Sequence, residues 1–407
     1  MKIFTLIIAL IFALNVSTVF ASELSNGVNN FGWNYYKTLD KDENIFYSPY
    51  SLAAALSLLA NGAIGKTKQE ILAVLYANSM KELNDGFAKF HGAMADNYSD
   101  GRLLRESNLL LIDEDYAGNG INLRFKKNAE KNYGSEVALV DFRNDITATK
   151  KQITGWVDKV TNHLIPNYQS IATEDTAVDL LNVIYFKGEW NSAFKTNDTR
   201  ERIFHNKDFS TSKIEMMHKI FDEEISYYAD EKYRGIELPY KKSANDTVVA
   251  MYVILPVDEN NLNIADDWDA EKISYRENFL NQIKNAPVNG REIHLDLPKF
   301  EFDIKTDLME KLWQVGIQLA LTDYAEFYNI INGVSLKIDA AVHQAKVKVD
   351  EQGTEAAAVT EIDMVETTAL SPEYKQIIEF RADMPFVFVI RDVPNEINLF
   401  TGTVNKL

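Results

Sequence analysis

The sequence predicts an α+β fold built as one large domain, and three observations predict it. Helical spacing dominates the first part of the chain, and β-branched and aromatic runs dominate from about residue 180, without βα alternation. The nine Pro and eighteen Gly are scattered, so no linker divides the chain, and no period of 20–50 residues repeats. The 407 residues are 46% hydrophobic, 11% aromatic and 25% charged. Those are the fractions of an ordinary globular domain, which excludes disordered, collagen-like and low-complexity proteins.

The elements follow in order. Met1-Lys2, the apolar run Ile3–Leu14 and the ending Val19-Phe20-Ala21 read as a cleavable secretory signal over 1–21. Asn15, Ser17 and Thr18 interrupt the run before the ~20 apolar residues that a membrane anchor needs. Residues 22–407 are then the mature domain of a secreted, extracellular protein. Pro49-Tyr50-Ser51 opens a buried helix through Ala60. Thr67-Lys68-Gln69-Glu70 reads as a capping box before Ile71–Leu75. Strands are expected at Val178–Phe186, Thr247–Leu255, Ile293–Phe302, Lys346–Val349 and Pro385–Arg391, with a short helix at Asp307–Trp313.

Composition removes several function classes. The absence of Cys excludes a disulfide scaffold, a zinc ribbon, an iron–sulfur protein and thiol catalysis. A net charge of −18 argues against a nucleic-acid-binding surface. Gly65-Lys66-Thr67 lacks the earlier Gly of a phosphate loop and follows a helix, so it reads as helix capping. The six His, at 91, 163, 205, 218, 294 and 343, offer no i, i+3 or i, i+4 pair for a metal, and there is no Gly-x-Ser-x-Gly elbow. Nothing points to an enzyme, a metal or a cofactor.

The informative stretch begins at Val342. To Val349 it alternates as a half-buried strand, with His343, Ala345, Val347 and Val349 on one face. Gly353 then permits a turn or bulge. Beyond it Thr354, Ala356, Ala358, Thr360, Ile362 and Met364 are small or apolar, while Glu355, Glu361 and Asp363 alternate with them. The run continues into Thr367-Thr368-Ala369-Leu370-Ser371-Pro372-Glu373, which has the make-up of an exposed, cleavable segment. A segment patterned to lie in a sheet and composed to move is a conditional strand.

On these residues the chain resembles the serpins. Glu351-Gln352-Gly353-Thr354-Glu355-Ala356-Ala357-Ala358 matches the hinge of the family's reactive loop. Phe380–Phe388 matches its C-terminal signature, with Met384 where His is commoner. Asn44–Ser51, Asn182–Trp190 and Leu297–Phe300 match further motifs, in order over essentially the whole mature chain. The resemblance implies one domain of about nine helices and three β-sheets, with an exposed reactive-centre loop at about 351–375. It also implies a suicide substrate: a serine protease acylates itself on a bait residue, the cleaved loop enters the central sheet, and the protease is trapped covalently. Thr354 through Glu366 alone would span roughly 40 Å at about 3.3 Å per residue. A non-inhibitory serpin, serving as carrier, chaperone or storage protein, is the alternative; the small inserting face argues against it.

By the same resemblance Ser48, Ser51, Asn182 and His343 form the shutter beneath the sheet. Trp190 and Lys299 sit at the breach where insertion starts, with Lys299 paired to Glu351. Family spacing from Glu351 puts the bait at Thr367, with Thr368 on the primed side. Aligning Ser371-Pro372-Glu373 favours Thr368, a shorter loop favours Glu366, and the length to Phe380 leaves Leu370 open. No Lys or Arg lies between Lys348 and Lys375, so an elastase-like or chymotrypsin-like target is expected rather than a trypsin-like one. Lys81–Arg105 holds no dense basic cluster for a glycosaminoglycan, and a monomer is expected. Asn97, Asn197 and Asn245 head glycosylation sequons.

Overall fold

The computed structural model describes residues 23–95, 102–118, 120–242, 248–354 and 375–407. The chain opens with helix α1 (23–36), strand β1 (Ile45–Tyr47) and helices α2 (Pro49–Gly62), α3 (Gly65–Val74) and α4 (Met80–Ala95). Strand β2 (Arg102–Asp113), α5 (Leu123–Tyr133), β3 (Glu136–Val140), α6 (Ile146–Val160) and β4 (Val178–Glu189) follow. The middle is mostly strand: β5 (Arg200–His205), β6 (Thr211–Asp222), β7 (Tyr227–Ala229), β8 (Tyr233–Pro239) and β9 (Val249–Pro256). Helices α7 (Ile264–Ala270) and α8 (Ile273–Lys284) lead to β10 (Arg291–Pro298), β11 (Phe300–Asp307) and α9 (Met309–Val315). The last strands are β12 (Ala340–Asp350), β13 (Gly353–Thr354), β14 (Gln376–Arg381), β15 (Phe386–Asp392) and β16 (Ile397–Val404).

The sixteen strands among the described residues form three sheets. The central sheet runs β11-β12-β13-β4-β2-β3, the inner sheet β1-β16-β15-β9-β8-β7, and the outer sheet β14-β10-β6-β5. The main core lies between the central and inner sheets, where Phe186 of β4 meets Phe400 of β16 and Phe300 of β11 meets Phe388 of β15. A second core covers the opposite face of the central sheet, with Leu109, Leu181, Val183 and Val342 packed under Ile153 and Val157 of α6. Strand β4 is therefore covered on both faces, which is why Val178–Phe186 is buried throughout and shows no apolar–polar alternation, Asp179 and Asn182 being its polar members.

Helix α2 starts where expected: Ser48 is its N-cap, accepting from Ser51 N at 3.0 Å, and Pro49 occupies the first turn. Nearly every residue in it is buried, so its Ala and Leu surround the whole helix rather than one face. The Thr67 capping box does not form. Helix α3 begins at Gly65, and its free amides at Lys66 and Thr67 are accepted by Glu326, 3.3 Å or less away and 260 and 259 residues on. Glu70 turns instead to Gln318 N and Leu319 N. The run Ile293–Phe302 divides at Lys299 into two strands belonging to different sheets. Pro298 has no N–H to continue a ladder, and Lys299 N bonds to Glu215 O at the crossing.

Candidate functional site: the hinge and the polar row beneath the central sheet

Strand β12 ends at Asp350, the chain turns over Glu351-Gln352, and Gly353-Thr354 re-enter the sheet as the two-residue β13. They pair antiparallel with β12, Thr354 opposite Val349, and antiparallel with β4, Thr354 opposite Gly188. Gly353 has φ +148°, and a Cβ there would lie 2.0 Å from Gly188 O, so no other residue fits. Thr354 is fully buried, and its hydroxyl shares a 2.8 Å hydrogen bond with Tyr240, the residue after β8 of the inner sheet. Below this point β12 and β4 pair directly with each other, Ala340–Lys346 beside Asp179–Tyr185.

Aromatic and ionic groups hold the turn. The Trp190 indole donates to Asp350 O at 3.0 Å and stacks on Tyr240, ring centroids 4.6 Å apart, while Trp190 N donates to Gln352 O. Glu351 accepts from the Thr199 hydroxyl at 2.8 Å and lies 3.3 Å from the Lys299 ammonium, which also meets Glu215 at 3.2 Å. Burial alone would raise the Glu351 carboxyl, but its hydrogen bonds and Lys299 outweigh that and hold it below its ordinary value.

Beneath the sheet, Asn108 of β2, Asn182 of β4 and His343 of β12 stand side by side in one row of the register. All three are buried, as are Ser48 and Ser51. Ser48 N donates to His343 Nε2 at 3.1 Å, so the imidazole carries its proton on Nδ1 and donates it to Asn182 Oδ1. Asn182 Nδ2 donates onward to Ser51 Oγ at 2.6 Å and to Asn108 Oδ1. Ser48 Oγ donates to Leu399 O, tying the row to the inner sheet. Burial pushes the His343 imidazole down to about 3, so it is neutral.

The row ends on a residue that sequence reasoning missed. Asn108 Nδ2 donates to Glu106 Oε1 at 3.0 Å, and Tyr50 and Ser51 also hydrogen-bond to Glu106. Glu106 is only partly covered as a residue, but its carboxyl is enclosed, and desolvation pushes it up to about 8 against those hydrogen bonds. The structure thus brings Ser48, Ser51, Asn182 and His343 together in one network, and Trp190, Lys299, Glu351, Gly353 and Thr354 together in another. Ala356, Ala357, Ala358, Thr367, Thr368 and the alternative bait positions Glu366 and Leu370 lie outside the described residues, as do Asn97 and Asn245. Asn197 is exposed on a short turn. Among the described residues no group of His, Cys, Asp or Glu could hold a metal ion, and no helix is long and apolar enough to cross a membrane.

This architecture has close counterparts. A family model described as serpin (serine protease inhibitor) matches residues 26–407. Iris from Ixodes ricinus is 31% identical over 394 residues, covering 95% of this chain and 100% of its own. Leukocyte elastase inhibitor A from Mus musculus is 29% identical, covering 94% and 99%. The crystal structure of tengpin, a thermophilic serpin in its native state, superposes with a TM-score of 0.80 at 24% identity, over 94% of this chain and 93% of that one. The chain belongs to the serpins, a family of protease inhibitors and not of enzymes.

Proposed function

We propose that this chain is a secreted suicide inhibitor of serine proteases, released after its signal at 1–21 and acting as a monomer. One observation carries the reading: the hinge is already paired in the register that insertion requires. Each residue past Thr354 would move one step back along both β12 and β4, so Ala356 would lie opposite Val347 and Phe186, and Ala358 opposite Ala345 and Ile184. Thr360 would arrive level with His343 and Asn182, which already face each other. Insertion therefore needs β12 and β4 to part sideways without sliding. The entering strand would be antiparallel to both and exchange one parallel ladder for two antiparallel ones. The even residues would follow Thr354 toward the core.

The chemistry belongs to the protease until the loop moves. Its serine hydroxyl adds to the carbonyl of the bait, Thr367 or Thr368, the peptide C–N bond breaks, and the hydroxyl proton leaves on the new amino terminus. An ester remains, and insertion carries it away before water completes the cycle. The target is elastase-like or chymotrypsin-like, supported by the absence of Lys and Arg between Lys348 and Lys375 and by likeness to a relative named as an elastase inhibitor. Incubation with elastase and with chymotrypsin should give an SDS-stable complex, and loop cleavage should raise the melting temperature sharply. Cleavage without complex and without that rise would leave the chain a non-inhibitory serpin.

A further inference from the structure

Far from the hinge, the C-terminal end of α2, helices α3 and α4, the start of α5 and the segment around Asn329 enclose a cleft of about 370 Å³. That lies within the roughly 300–1,000 Å³ of small-molecule sites. Five asparagines line it: Asn61, Asn84, Asn122, Asn128 and Asn329. Asn61 and Asn84 pair amide to amide, at 2.9 and 3.1 Å, and Tyr133 donates to Asn84 Oδ1 at 2.6 Å, which fixes one wall. Asn122 caps α5 by accepting from Arg124 N and Phe125 N, which fixes another.

The charges in the cleft run against those of the protein. Its two charged lining residues are Lys68 and Arg124, with no carboxylate among the described lining, although the chain has 60 acidic residues to 42 basic ones. Neither side chain forms an ion pair or hydrogen bond with a described residue, and the Asn329 amide is equally unused. Burial with no compensating acid lowers the Lys68 ammonium, so an anion placed beside it would relieve a cost already present.

We propose that this cleft binds a sugar phosphate. Two cations match the −1.5 to −2 charge of a phosphate monoester at neutral pH, where a sulfate monoester or a carboxylate would bring only one. The Arg124 fork suits two phosphate oxygens, with Lys68 as a point charge beside it. The Asn329 amide presents a donor and an acceptor, and the Asn128 amide, one of whose protons reaches Asn61 Oδ1 at 3.5 Å, adds its oxygen and its other proton, the pairing that vicinal hydroxyls need. Met80 offers an apolar side for a sugar ring.

Isothermal titration of the full chain tests this with hexose 6-phosphates (glucose, fructose and mannose), and with glucose, glucose 6-sulfate and inorganic phosphate as controls. At least one hexose phosphate should bind saturably and about tenfold more tightly than any control. Lys68→Met and Arg124→Gln should each weaken it about tenfold, with melting temperature and protease inhibition unchanged. Three results overturn the proposal: no saturable binding by any hexose phosphate at about 10 mM, inorganic phosphate or the sulfate binding as tightly, or both variants binding normally.

Discussion

On the proposed mechanism Thr354 is the residue on which native structure and inhibition meet, and Thr354→Arg separates them. The side chain is fully buried between β12 and β4, with its hydroxyl on Tyr240. An uncompensated charge enclosed there costs about 3–5 kcal/mol. The two-residue strand is held by a few ladder bonds and that one hydroxyl contact, each contributing about 0.5–1.5 kcal/mol net. The opposing terms are comparable, so the hinge should leave the sheet while the β12–β4 ladder below keeps the fold closed. After cleavage the same penalty recurs at the first step of insertion. Every 1.4 kcal/mol added to that barrier shifts the contest with hydrolysis about tenfold, so the variant should be cut and released. Gel electrophoresis would show cleaved inhibitor in place of the SDS-stable complex. Tryptophan emission should change as well, because Trp190 stacks on the Tyr240 that Thr354 contacts. A complex formed at unchanged stoichiometry would refute the insertion argument.

Other perturbations bear on the same machinery. Asn182→Ala strands His343, Ser51 and Asn108, at about 1–3 kcal/mol for each unsatisfied buried group; mild heating should then produce loop–sheet polymers on native gels, and a persistent monomer counts against the shutter role. Glu106 keeps its proton to about pH 8 against 4.5 for a free carboxyl, so its contribution is complete below pH 4.5 and is lost as pH rises toward 8. His343 is depressed from 6.5 to about 3, so its contribution is complete above pH 6.5 and is lost as pH falls toward 3. Melting temperature should decline on both sides of that interval, and Glu106→Gln should flatten only the alkaline side; an unaltered alkaline limb would remove Glu106 from the network. Lys299→Met should cost about 1 kcal/mol or less, because the pair is partly exposed and Thr199 still holds Glu351, yet it should alter the inhibition rate measurably in stopped-flow assays.

What the sequence disclosed follows from where its patterns are local. His343 to Val349 alternates because one strand face is buried, and that alternation is visible in seven residues. The polar row was readable only where motif neighbours identified it. Glu106 and Asn108 stayed hidden because Arg105-Glu106-Ser107-Asn108 has the composition of a loop; they occupy a strand because helix α2 supplies Tyr50 and Ser51 beneath them. The expected cap at Thr67 failed for the same kind of reason. Glu326 satisfies those amides from a distant part of the chain, and no window around residue 67 contains it.

The pairing of β1 with β16 sets a condition on biogenesis. Ile45 lies opposite Thr403, and β16 also carries β15, so the inner sheet joins the first strand of the chain to the last. Nascent chain emerging in order, at about 5–20 residues per second, cannot close that sheet until Phe400 and its neighbours have appeared. Contacts this distant in sequence form slowly. Throughout synthesis the Phe46 side would lack Phe400, its stacking partner at 5.2 Å. The half-made protein thus depends on whatever shields apolar surface during synthesis, and a C-terminal frameshift should yield material that never folds.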